Sequence, residues 1–163
     1  MGLDMYLYAQ KFVPSVNWNK GNSDENNSEF DTLVELINVS DLIDKSRWPS
    51  AYVRTEIGYW RKANAIHKYF VDTCAGGKDE CQDTYVERED LVELLNRCNR
   101  ILENRNVELA NELLPPQSGF FFGGTEIDEY YFEDLKYTQE LLTKILNTIK
   151  EDSELDFIYR ASW

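Results

Sequence analysis

The chain has 163 residues, of which 42% are hydrophobic, 13% aromatic and 29% charged, a composition that suits one globular domain over 1–163. Thirty acidic residues against 17 basic ones give a formal net charge of -13, which argues against general affinity for DNA or an anionic membrane surface. No apolar run approaches the ~20 residues that span a bilayer, and Asp4 stands where a signal peptide carries positive charge, so a soluble cytoplasmic protein is expected.

Leu3 to Tyr8 alternates in the manner of a buried strand. Asn17 to Ser28 is rich in Asn, Ser, Gly and acids and reads as a surface loop. Phe30, Leu33, Val34 and Ile37 then recur at the spacing of one helical face. Ala51 to Thr55 leans towards a strand, and from Gly58 the stripe Tyr59, Ala63, Ile66 and Phe70 predicts a helix. After a Gly-containing loop from Cys74 to Cys81, Tyr85 and Val86 predict a brief strand. Leu91, Leu94, Leu95, Cys98, Ile101 and Leu102 then predict a strong amphipathic helix.

A short helix over Val107 to Leu114 should stop at Pro115 and Pro116, since proline has no amide to donate. Gln117 to Gly124 is extended or turn-rich. Thr125 and Asp128 have the spacing of a capping box ahead of a long helix faced by Phe132, Leu135, Leu142, Ile145, Leu146 and Ile149. Leu155 to Arg160 is β-rich enough to pair with the first strand. The expected fold class is therefore α+β, with several helices packed around a small antiparallel sheet.

Positive charge is concentrated in one interval. Between Lys45 and Val71 stand Lys45, Arg47, Arg54, Arg61, Lys62 and Lys68 against the single acid Glu56, with Trp48, Tyr52, Tyr59, Trp60 and Tyr69 interleaved. Rings that stack and cations that donate charge-assisted hydrogen bonds are what a nucleobase with its phosphate requires. The same pattern also describes an ordinary helix with its aromatics turned inward. The second concentration is Gln117 to Thr125, with Phe120, Phe121 and Phe122 between glycines. Three consecutive rings cannot share one side of an extended segment, so at least one should point away from the core. The block reads either as a ligand wall or as a tight loop filling gaps between elements.

Other chemistry is weaker. The lone His67 has no nucleophile signature near it and reads as structural. Glu126, Asp128, Glu129, Glu133 and Asp134 read as a helix-dipole complement and a solvated face rather than a Mg or Mn site. Cys74, Cys81 and Cys98 are an odd set, expected as reduced thiols, and with a single His they do not make a zinc site. No P-loop, dinucleotide fingerprint, zinc-protease or serine-hydrolase motif occurs. Neither a metal nor a cofactor is expected.

The blocks Gly2-Leu3-Asp4-Met5-Tyr6-Leu7, Glu56-Ile57-Gly58-Tyr59-Trp60-Arg61-Lys62-Ala63-Asn64, Gln117-Ser118-Gly119-Phe120-Phe121-Phe122-Gly123, Glu129-Tyr130-Tyr131 and the terminal Ser162-Trp163 run through the whole chain. Together they resemble a widespread family of small phage proteins. The functional match is to phage immune-evasion sponges, oligomeric proteins that sequester the cyclic dinucleotide signals of the antiphage system called CBASS. That resemblance implies a homo-oligomer in the host bacterial cytoplasm that binds a cyclic dinucleotide without cleaving it and has no catalytic residues.

The chemistry of the matching blocks assigns Trp60 or Tyr59 to stack on a base and Arg61 and Lys62 to hold phosphate. Gln117, Ser118 and Thr125 would read polar edges, and Phe121 and Phe122 would form apolar walls; Tyr59 and Phe121 are equally compatible with the core. Two alternatives stand beside this. One is a nucleotide- or phosphate-metabolising enzyme using His67 with Glu56 or Asp128. The other is an acidic inhibitor that engages a basic host protein.

Overall fold

The computed structural model describes residues 2–17 and 26–163, so most of the loop expected at 17–28 lies outside the described residues. In chain order the elements are β1 (Asp4–Pro14), α1 (Ser28–Leu36), β2 (Ser50–Arg61), α2 (Asn64–Thr73), β3 (Thr84–Val86), α3 (Arg88–Asn104), α4 (Val107–Leu113), α5 (Glu129–Thr148) and β4 (Asp156–Ser162). Short 3-10 turns at Ser40–Leu42 and Lys45–Arg47 lie between α1 and β2. The fold is α+β. Its four strands form one antiparallel sheet in the order β2-β1-β4-β3, so the last strand of the chain does pair with the first. Between β3 and β4 the register sets Thr84 opposite Tyr159 and Val86 opposite Phe157.

The contacts divide the chain into two compact units, Met1–Ala9 with Glu56–Trp163, and Gln10–Thr55. In the larger unit the inward residues of the strands alternate with outward ones, although Ile158 of β4, between the inward Phe157 and Tyr159, is buried as well. Met5 and Leu7 of β1, Trp60 of β2, and Phe157, Tyr159 and Ala161 of β4 join one core with Phe70 of α2, Leu91, Leu94, Cys98 and Ile101 of α3, and Leu135, Leu142 and Ile145 of α5. Burying side chains of this size is worth roughly 1.5–3 kcal/mol each, and that sum holds the helices on the sheet. Gly58 permits the close approach: a Cβ there would lie 2.9 Å from Leu141 Cδ2 and 3.3 Å from Leu7 Cβ.

The smaller unit has a core of its own, Val13, Phe30 and Val34, against which Leu33, Val39, Ile43 and Ala51 pack. Asn27 caps α1 by accepting from the Glu29 amide at 3.1 Å. Ion pairs Lys11–Glu29 (2.7 Å) and Lys45–Asp31 (2.8 Å) brace its surface. Ile37, expected on the inner face of that helix, is its C-cap and is exposed.

Two local expectations are corrected. Residues 58–61 continue β2 and do not begin a helix. Ala63, Ile66 and Phe70 are buried on one side of α2 as the spacing implies, but Tyr59 fits that stripe by coincidence. Ile, Tyr and Trp favour the extended chain, and Lys62 ends it in a left-handed conformation (φ 59°). Likewise Thr125 does not cap α5. Asp128 is itself the cap, its carboxylate accepting from the Tyr131 amide at 3.1 Å.

Candidate functional site

Strand-to-helix geometry brings the basic pair to the glycine-rich loop. The Lys62 amide donates to the Leu3 carbonyl at 2.8 Å, and the Leu3 amide donates to the Phe121 carbonyl at 3.1 Å, so the end of β2, the residues leading into β1 and the loop are laced together. Asn64, buried at the start of α2, completes the lacing. Its Nδ2 donates to the carbonyls of Phe122 (3.1 Å) and Gly124 (2.7 Å), and its Oδ1 accepts from the Gln117 amide at 3.2 Å. One side chain thus satisfies three backbone groups that a buried loop would otherwise leave unpaired. Gly123 has φ 89°, a left-handed conformation that favours glycine, and it lies against Lys62, where an added Cβ would meet the Lys62 Cβ at an ordinary 3.5 Å.

Beside this lacing opens a cleft of about 730 Å³. Arg61 and Lys62 line one part of it, Gly123, Gly124 and Thr125 another, and the start of α5 a third, with Glu126, Asp128, Tyr130, Glu133 and Asp134. That volume falls in the range of small-molecule sites. Arg61 and Lys62 form no ion pair with another described residue, and no described donor bonds the Asp134 carboxylate. Burial, reinforced by the neighbouring Glu133 and Asp128 charges, pushes the Asp134 pKa up to about 6. Tyr130 is 76% exposed and presents an open ring at the same cleft.

Of the residues expected to bind ligand, Arg61, Lys62 and Thr125 meet at the cleft, and the others lie elsewhere. Trp60 is only 2% exposed and donates its indole N–H to Thr138 Oγ1 at 2.9 Å, with Phe70 and Tyr137 packed against its ring, so no face remains for a base. Tyr59 points to the opposite side of the sheet, against Tyr6, with its hydroxyl donating to Asp4. Phe122 is a core residue, edge-on to His67 at 5.0 Å, and Phe121 is half-buried against that core. Neither is a cleft wall. Phe120 is the ring turned outward, 95% exposed. Gln117 contributes its backbone amide to Asn64 and Ser118 is exposed; neither lines the cleft.

The acids, expected as a helix-dipole complement and a solvated face, include four that line the cleft: Glu126, Asp128, Glu133 and Asp134. Tyr130, Glu133 and Asp134 recur at three and four residues, which puts them on one side of α5, and that spacing was the available signal. Glu129, by contrast, pairs with Arg105 at 2.7 Å.

His67 belongs to a separate, closed arrangement. It is 0% exposed, with Nδ1 2.7 Å from the Tyr159 hydroxyl and Nε2 3.0 Å from Asp79 Oδ2. Burial and the Asp79 charge hold the Tyr159 pKa well above its ordinary value. The hydroxyl therefore keeps its proton and can donate it to Nδ1, with Nε2 left to donate to Asp79. Trp163 Nε1 donates to the other Asp79 oxygen at 3.1 Å. Neither His67 nor Glu56 lines the cleft, so the acid–base pairs considered for an enzyme are not assembled there.

Among the described residues no group of three or more His, Cys, Asp or Glu is arranged to hold a metal ion. No helix among them is long and apolar enough to cross a membrane. The cysteines are free, and burial pushes the thiols of Cys74 and Cys98 up to about 12, which suppresses the thiolate. The chain matches no protein-family model, no curated protein and no solved structure.

Proposed function

We propose that the protein captures a small phosphorylated ligand, a cyclic dinucleotide of the kind bacteria use as a defence signal, and holds it without cleaving it. The observation that carries this reading is the meeting of Arg61 and Lys62, without an ion pair to any described residue, with Gly123 to Thr125 and the open Tyr130 ring around one cleft. Arg61 and Lys62 hold phosphate through charge-assisted hydrogen bonds, Thr125 adds a hydroxyl, and Tyr130 takes the stacking role first given to Trp60 or Tyr59. A sponge needs affinity and no nucleophile. The buried, fully bonded His67 and the suppressed thiols fit that economy. In the phage setting that the sequence resemblance implies, the protein works as a homo-oligomer that lowers the free signal.

The test is calorimetric titration with a panel of cyclic dinucleotides, followed by recovery of the ligand after heat denaturation. Stoichiometric binding with intact ligand recovered is the expected result, and no binding by any member ends the proposal. One observation favours a second reading, hydrolysis: Asp134 lines the cleft half-buried, and that burial pushes its pKa up to about 6, towards the range of a general acid or base. Recovery of cleaved ligand, abolished by Asp134→Asn, would move the assignment there.

A further inference from the structure

The cleft is not a simple anion site. Its two cations share it with Glu126, Asp128, Glu133 and Asp134, and a ligand bearing two phosphates has to be accommodated beside those carboxylates. An acceptor-only group in a binding cleft is an asset when the ligand brings N–H donors. Asp128 spends one oxygen on the Tyr131 amide and Glu133 is exposed, whereas Asp134 is half-buried with no described donor. A desolvated carboxylate without donors is costly, and a ligand that supplies them recovers that cost on binding. Tyr130 precedes Asp134 by four residues, so ring and carboxylate rise from the same side of α5.

Among nucleobases, guanine alone offers two adjacent donors, N1–H and the N2 amino group, which match the two oxygens of a carboxylate. Adenine and cytosine pair a donor with an acceptor, and uracil sets its single N–H between two carbonyls; each turns at least one lone pair towards a carboxylate oxygen.

Resting on the capture reading above, we infer that the cleft selects a guanine-bearing cyclic dinucleotide, with the Asp134 carboxylate accepting from N1–H and the N2 amino group while the base lies on Tyr130. Arg61 and Lys62 hold the phosphates. Selectivity then comes from the acids and affinity from the cations.

The experiment compares cyclic di-guanylate, cyclic di-inosinate and cyclic di-adenylate by calorimetry on the wild type and on Asp134→Asn. Hypoxanthine, the base of inosine, differs from guanine only in lacking the N2 amino group. The di-guanylate should bind the wild type at least tenfold more tightly than either of the others, in keeping with the roughly 1–3 kcal/mol of a good bidentate contact to a base. Asp134→Asn should weaken di-guanylate by tenfold or more and leave di-adenylate unchanged or tighter, because an amide presents one acceptor and one donor.

Equal affinity for all three ligands on the wild type overturns the inference and leaves capture standing. So does a variant that tightens all three by a common factor, since the carboxylate then only repels phosphate. If the wild type binds none of the three but does bind another cyclic dinucleotide, the inference falls and capture stands; if it binds no cyclic dinucleotide at all, the capture reading falls with it. The wild-type comparison of guanine with inosine does not depend on the variant folding.

Discussion

Two polar regions of the larger unit show what separates a structural group from a ligand-binding one. Around His67 every polar atom meets another: both ring nitrogens, both Asp79 oxygens and the Tyr159 hydroxyl are bonded internally, and the space beside them is only about 10 Å³. Around Arg61 the charges face a cleft of about 730 Å³ and do not pair with one another. A satisfied buried network stabilises the native state and asks for nothing from outside. In the cleft Arg61 and Lys62 are open to water and Asp134 is half-buried, so these charges remain available to a ligand, and one that brings donors relieves the desolvation of Asp134.

That contrast can be broken at either end. The largest expected effect is on stability: His67→Ala removes a ring from the core and leaves Tyr159 and Asp79 without their partner, which should cost about 3 kcal/mol. Urea unfolding measures it, and a loss below 1 kcal/mol would make the network incidental.

Arg61→Ala should do the reverse, leaving urea stability within about 0.5 kcal/mol and weakening cyclic dinucleotide binding by roughly 10–100-fold, the worth of a hydrogen bond to a charged group. Loss of stability with unchanged affinity would place Arg61 in the wrong class.

Asp134 provides a smaller effect with a definite sign. Its pKa is raised from 3.8 to about 6, so the folded state holds the proton more tightly than the unfolded chain does. Relative stability is therefore greatest below pH 4 and is lost as pH rises through 4 to 6. Glu133 on its own helix and Asp128 at the helix cap raise it further, and Glu126, Arg61 and Lys62 line the same cleft. Asp134→Asn should stabilise the protein by on the order of 1 kcal/mol at pH 7, after allowance for solvent screening, and by nothing near pH 3. Unfolding curves at the two pH values decide it; equal stabilisation at both would mean that the carboxylate is not strained by its charge. Thr125→Ala should be the mildest, a loss of threefold or less in affinity in the same titration.

Much of the architecture was legible from periodicity alone. Alternation in Leu3 to Tyr8 marked β1, the stripe from Leu91 to Leu102 marked α3, and the β-rich end of the chain pointed to the β1–β4 pairing. The candidate site was legible only in part. Arg61, Lys62 and Thr125 were found through local charge and the glycine block; Asp134 was seen only as part of a solvated acidic face, and Asn64 and Tyr130 were given no role. Asn64 looked unremarkable because its importance lies in three bonds to a loop more than 50 residues away. Trp60 and Tyr59 looked alike as aromatics in a basic interval, yet adjacent strand residues face opposite sides, and only the position of the helices determines which side is buried.

Composition and periodicity by themselves determined an acidic chain of α+β class, most of its elements and the grouping of its basic residues, because these follow from local preferences and one-dimensional pattern. Which charges would be neutralised by neighbours and which would be left facing open space was decided by tertiary structure. The physical reason is that pairing and desolvation depend on groups distant in sequence, and a linear pattern carries no record of which of them the fold brings within hydrogen-bonding reach.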